Sequence, residues 1–78
     1  MDLNSFIKNM ADQFDELNGL ELSESTNFKT LVDYSSLTAL NIISMIDDEY
    51  GVYLKGDDIR NSNSILDLFE IVKAKSQG

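Results

Sequence analysis

Residues 35–51 read Ser-Ser-Leu-Thr-Ala-Leu-Asn-Ile-Ile-Ser-Met-Ile-Asp-Asp-Glu-Tyr-Gly, and this stretch decides the fold class. Its apolar residues (Leu37, Ala39, Leu40, Ile42, Ile43, Met45, Ile46 and Tyr50) predict a helix that begins at Ser35 or Ser36 and ends at Tyr50-Gly51. A helix apolar over more than half its circumference is usually packed against neighbours on two sides. Its flanks should therefore supply further helices.

Upstream, Leu3, Phe6, Ile7, Met10, Phe14 and Leu17 fall at i, i+3, i+4, i+7, i+11 and i+14. That stripe predicts an amphipathic helix over 3–17, with Asp2 as N-cap and Asn18-Gly19 as its stop. The connection from Gly19 to Ser35 is too long to be structureless in a small domain. Leu20, Leu22, Phe28, Leu31 and Val32 are the residues available to tack it onto the core, with a helical turn expected near Phe28–Leu31.

Downstream, Val52-Tyr53-Leu54 reads as a short extended link, and Gly56-Asp57-Asp58 opens a single helical turn through Arg60. Asn61-Ser62-Asn63-Ser64 is a polar break with several candidate N-caps. The last helix places Ile65, Leu68, Phe69 and Val72 on one face, and Lys73 and Lys75 suit its C-terminus. Proline is absent and no segment alternates as a strand does. The expectation is an all-α fold: a small four-helix bundle of three main helices and one short one, with a long first loop, forming a single domain over 1–78.

The chain has 78 residues, no Cys and no His. Disulfides and thiolate metal sites are excluded, and the usual general base near neutral pH is missing. An enzyme is not expected from so small a chain with this residue set. Fourteen acidic residues against six basic ones give a net charge of −8. A polyanion is repelled by such a surface, so neither nucleic acid nor an anionic membrane is an expected partner. Proteins with basic patches are, since opposite charge steers and speeds their encounter. No apolar run approaches a membrane span and no signal-peptide pattern opens the chain, so a cytoplasmic monomer is expected.

Two features stand out chemically. Asp47, Asp48 and Glu49 crowd the C-terminal turn of the central helix, the unfavourable end of its dipole for acids. Neither they nor Asp57 and Asp58 have the alternating spacing of a calcium loop, so no metal site is expected and a solvated acidic face is the ordinary reading. The second feature is the serine pair. A Ser at a helix start is ordinarily a cap. Two in succession let one cap while the other points its hydroxyl at solvent, and spacing does not assign the roles.

Phe28 eight residues before Ser36, Leu37 directly after it, the acids and aromatic of Asp47-Asp48-Glu49-Tyr50, the link Val52-Tyr53-Leu54, the short Asp57-Asp58-Ile59 helix and the apolar run from Ile65 to Val72 stand in one order. In that order and spacing the chain resembles the acyl carrier protein family over nearly its whole length. The resemblance implies that Ser36 carries a covalent 4'-phosphopantetheine arm, transferred from coenzyme A by a phosphopantetheinyl transferase. It implies acyl groups held as thioesters for fatty-acid, polyketide or related specialised biosynthesis. It also implies docking of acyl-loading and acyl-processing enzymes through Leu37, Asn41, Asp47, Asp48 and Glu49, and an acyl chain lined by Phe28, Ile46, Leu54 and Ile59. The family's Gly-x-Asp-Ser-Leu signature reads Asp33-Tyr34-Ser35-Ser36-Leu37 here. Family acids in the first half of the helix are replaced by Ser35, Thr38 and Asn41, a departure that suits a specialised pathway. Alternatives are a peptidyl or aminoacyl carrier, and a degenerate acidic interaction module that no longer uses Ser36.

Overall fold

The computed structural model describes residues 2–14 and 21–77. Its helices are α1 (Leu3–Ala11), α2 (Ser36–Tyr50), α3 (Gly56–Arg60) and α4 (Ile65–Gln77), with a 3₁₀ turn at Phe28–Thr30. The described residues contain no strand. The all-helical expectation holds at this level.

The Asp2 carboxylate starts α1 by accepting from the amides of Asn4 and Ser5 at 3.4 and 3.2 Å and from the Ser5 hydroxyl at 2.8 Å. These bonds, the Ser5 hydroxyl foremost, hold the Asp2 carboxyl below its ordinary range. Phe6 and Met10 are fully buried from this helix. The regular helix ends at Ala11, six residues short of the expected Leu17. Beyond it the bonds tighten to 3₁₀ spacing, Gln13 N–H to Met10 at 3.0 Å and Phe14 N–H to Ala11 at 3.1 Å. That tighter turn still delivers Phe14 to the core. Leu17, the expected stop at Asn18-Gly19, and Leu20 lie outside the described residues.

The long connection is tied down at several points. Phe28 is fully buried, a burial worth roughly 2–3 kcal/mol, and Leu22 and Leu31 pack against the core from its rim. Asn27 caps the 3₁₀ turn by accepting the Lys29 amide at 3.1 Å. The first amides of α4 donate to this loop, Ile65 to the Thr26 carbonyl at 3.0 Å and Leu66 to the Glu24 carbonyl at 2.9 Å. The loop therefore satisfies helix-end donors that would otherwise be orphaned. Val32 departs from expectation, being 95% exposed. It sits at the tip of a turn closed by Tyr34 N–H to the Leu31 carbonyl at 3.0 Å, which points it outward.

α1, α2 and α3 each pack on α4, which buries Ile65, Leu68, Phe69 and Val72, the face read from the sequence. Phe6 of α1 meets Phe69 edge-on, with ring centroids 5.4 Å apart, and Tyr50 of α2 at 5.6 Å. Asn9 donates to the Tyr50 hydroxyl at 2.9 Å, fastening α1 to the end of α2. α2 stops at Gly51, whose φ of 66° is left-handed and whose amide donates to the Asp47 carbonyl at 3.0 Å. In the link that follows, Val52 and Leu54 turn inward and Tyr53 outward. Ser64 and Asp67 then cap α4 reciprocally, with amide to side-chain distances of 3.1 and 3.2 Å.

Candidate functional site at the start of the central helix

The serine pair divides its work. Ser35 is the N-cap of α2, in extended conformation, and its Oγ accepts the Thr38 amide at 3.3 Å. Thr38 returns the bond, its Oγ1 accepting the Ser35 amide at 3.2 Å and its hydroxyl donating to the Asp33 carbonyl at 2.9 Å. With Ser35 occupied in this box, Ser36 becomes the first helical residue. Its hydroxyl is exposed and makes no hydrogen bond among the described residues. The amides of Ser36 and Leu37 likewise meet no protein acceptor among those residues. They are the unpaired donors at the positive end of the helix, suited to an anion placed on the adjacent oxygen.

Beside Ser36 runs a groove of about 410 Å³ between the first half of α2 and α3. Tyr34, Ala39, Leu40, Ile43 and Ile59 give it apolar walls, and Gly56 and Arg60 complete its edge. Burial raises the Tyr34 phenol above its usual pKa of 10.0, so it stays protonated at any physiological pH. Of the four residues expected to line an acyl chain, Ile59 faces this groove. Phe28, Ile46 and Leu54 do not line it; they belong to the closed core, each at 0% exposure.

The expected docking residues all lie on the outside of α2. Leu37 is 66% exposed, and Asn41, Asp47, Asp48 and Glu49 are exposed as well. Leu37, Asn41, Ser44 and Asp48 follow the i, i+4, i+7, i+11 row and so form one stripe. The acids begin about 16 Å along the helix axis from Ser36. Asn41, Ser44, Asp48 and Glu49 join Gln13 and Met45 around a separate polar recess of about 300 Å³.

Three residues near Ser36 were not picked out by sequence reasoning. Leu40, read only as part of the apolar content of α2, is 60% exposed on the groove wall. The wide apolar surface of α2 is thus only partly used for packing: Ile42, Met45 and Ile46 are buried, while Leu37 and Leu40 face solvent. Tyr34 and Arg60 come to the groove from the preceding loop and from α3. Arg60 carried one available signal, being the chain's single arginine.

No helix among the described residues is long and apolar enough to cross a membrane. Searches against known family models, curated proteins and solved structures gave no match to this chain.

Proposed function

We propose that this protein is an acyl carrier, holding acyl groups as thioesters on a 4'-phosphopantetheine arm attached to Ser36. The observation that carries this reading is the separation of roles at the start of α2, where Ser35 caps the helix and leaves the Ser36 hydroxyl exposed and uncommitted. A serine whose job is structural would be expected to hold a backbone group, as Ser35 does.

The residues present fit such an arm. The free amides of Ser36 and Leu37 and the helix dipole favour a phosphate on Ser36 Oγ. When bound, the arm supplies the thiol that a chain without cysteine lacks. In the loading reaction the Ser36 oxygen bonds to the phosphorus of coenzyme A that bears the pantetheine. The pyrophosphate link breaks, adenosine bisphosphate leaves, and the serine proton passes to a base of the transferase. The chain itself contributes an accessible nucleophile on a rigid helix end.

Partner enzymes are then recognised by the outside of α2. Leu37 and Leu40 offer small apolar contacts close to the arm, and Asp47, Asp48 and Glu49 attract basic patches farther along. A surface of this kind favours fast, salt-sensitive encounters with several partners in turn. The reading is tested by supplying a permissive phosphopantetheinyl transferase with a fluorescent coenzyme A. One label per chain is expected. A chain that stays unlabelled with several such transferases would overturn the proposal.

A further inference from the structure

We infer that Arg60 makes this carrier selective for acyl cargo ending in a carboxylate, which it seats in the groove beside Ser36. The inference rests on the carrier reading of Ser36 and concerns what is carried there.

Charge is the first argument. With a net charge of −8, the surface as a whole repels an anionic cargo. Among the described residues lining the groove that contains Ser36, Arg60 is the one that is charged. Lys29 places a second cation behind it, its ammonium donating to the Arg60 carbonyl at 2.9 Å. That bond also holds the C-terminal end of α3 in place.

Arg60 is available. Its partner is Asp57, one helical turn back, and the two side chains are 75% and 72% exposed. Exposed pairs of this kind are weak, so sharing or exchanging Asp57 for another carboxylate costs little. The guanidinium presents five donors in a fork that matches a carboxylate and can serve two at once.

The groove supplies the rest. Leu40, Ile43 and Ile59 line the groove and accept methylene groups, while Phe28, Ile46 and Leu54 are fully buried and are not part of its lining. This suits a short chain lying along the surface. Because cargo tethered at Ser36 meets Arg60 within one molecule, the pair forms without the concentration cost a free carboxylate would meet, and the apolar walls add to it. An uncharged chain of equal length finds the same walls without that pair.

The test loads the full chain from adipoyl- or hexanoyl-coenzyme A with a permissive transferase, mass spectrometry verifying one acylated arm on Ser36. The Arg60 Nε–H proton is then followed by NMR. With adipoyl cargo its exchange with water should slow roughly threefold, the size of effect an exposed ion pair supports, and hexanoyl cargo should leave it unchanged. Shifts of the Ile43 and Ile59 signals should accompany adipoyl loading and vanish in Arg60→Gln, an exposed position where the fold tolerates the change. Equal Arg60 behaviour with both cargoes, or groove shifts that persist in Arg60→Gln, overturns the inference alone. Failure of Ser36 to accept either cargo overturns the carrier reading and this inference with it.

Discussion

Ser35 and Thr38 are bonded to each other in both directions, amide to hydroxyl oxygen at 3.3 Å one way and 3.2 Å the other. The Thr38 hydroxyl is committed further, to the Asp33 carbonyl at 2.9 Å, and Thr38 itself is buried. The start of α2 is thus built by three residues other than Ser36. Stability and function should then separate cleanly between adjacent serines.

Ser35→Ala removes the cap and is expected to destabilise the protein by about 1 kcal/mol, within a range of roughly 0.5–2. Ser36→Ala should change stability by less than about 0.5 kcal/mol, because its hydroxyl holds none of the described residues. Urea unfolding of the two variants measures both. Equal losses would mean that the two serines share the cap.

Asp47, Asp48 and Glu49 oppose the dipole of the helix that bears them. Asp47→Asn and Asp48→Asn should each raise stability by about 0.3–1 kcal/mol. The same changes should weaken binding to a basic partner enzyme, and added salt should weaken binding of the parent chain. Thermal unfolding and titration calorimetry at two salt concentrations give the two readouts. Affinity indifferent to salt would remove the electrostatic account of docking.

Phe28, Leu54 and Ile59 should behave as core whatever else they do. Phe28→Ala is expected to cost about 3–5 kcal/mol and Leu54→Ala about 2–5 kcal/mol, since both side chains are fully buried. Ile59→Val, in the groove wall, should cost roughly 0.5–1.5 kcal/mol. Denaturant midpoints of the three variants check the ranking.

Asp2 sets a pH dependence at the other end of the chain. Its folded pKa lies below the ordinary 3.8, chiefly through the Ser5 hydroxyl, so the unfolded chain takes up this proton first as pH falls. The capping contribution is therefore full above the ordinary carboxylate pKa and disappears as pH drops through the lowered folded value. Helix content followed by circular dichroism should show the start of α1 loosening in that acid range. An Asp2→Asn variant should lack this component, and an unchanged acid profile would contradict the assignment.

Much of this arrangement was legible because helical periodicity marks long buried stripes strongly. The α4 face of Ile65, Leu68, Phe69 and Val72 follows from spacing, and the bounds of α2 and α3 from the serines, glycines and polar break that flank them. Ends were harder to read: α1 gives way to 3₁₀ bonds after Ala11 even though the apolar period continues to Phe14. Period reports which residues turn inward and is indifferent to which hydrogen-bond pattern carries them there. Leu40 and Val32 were misleading in the opposite sense, since an apolar side chain on a helix flank or turn tip counts toward a stripe without being covered. The roles of Ser35 and Ser36 depend on a one-residue choice of cap that Thr38 decides through its own hydroxyl. The groove is less legible still, because Tyr34, Leu40 and Arg60 meet only once loop, α2 and α3 are assembled.

The central claim is tested most directly by mass spectrometry of the chain and its Ser35→Ala and Ser36→Ala variants after incubation with coenzyme A and a permissive transferase. The account predicts one phosphopantetheine on the peptide covering residues 30–55, localised to Ser36 by fragmentation, present in Ser35→Ala and absent in Ser36→Ala. An unmodified parent chain, or an arm that survives in Ser36→Ala, would contradict it and leave the acidic face of α2 as a docking surface without a carrier function.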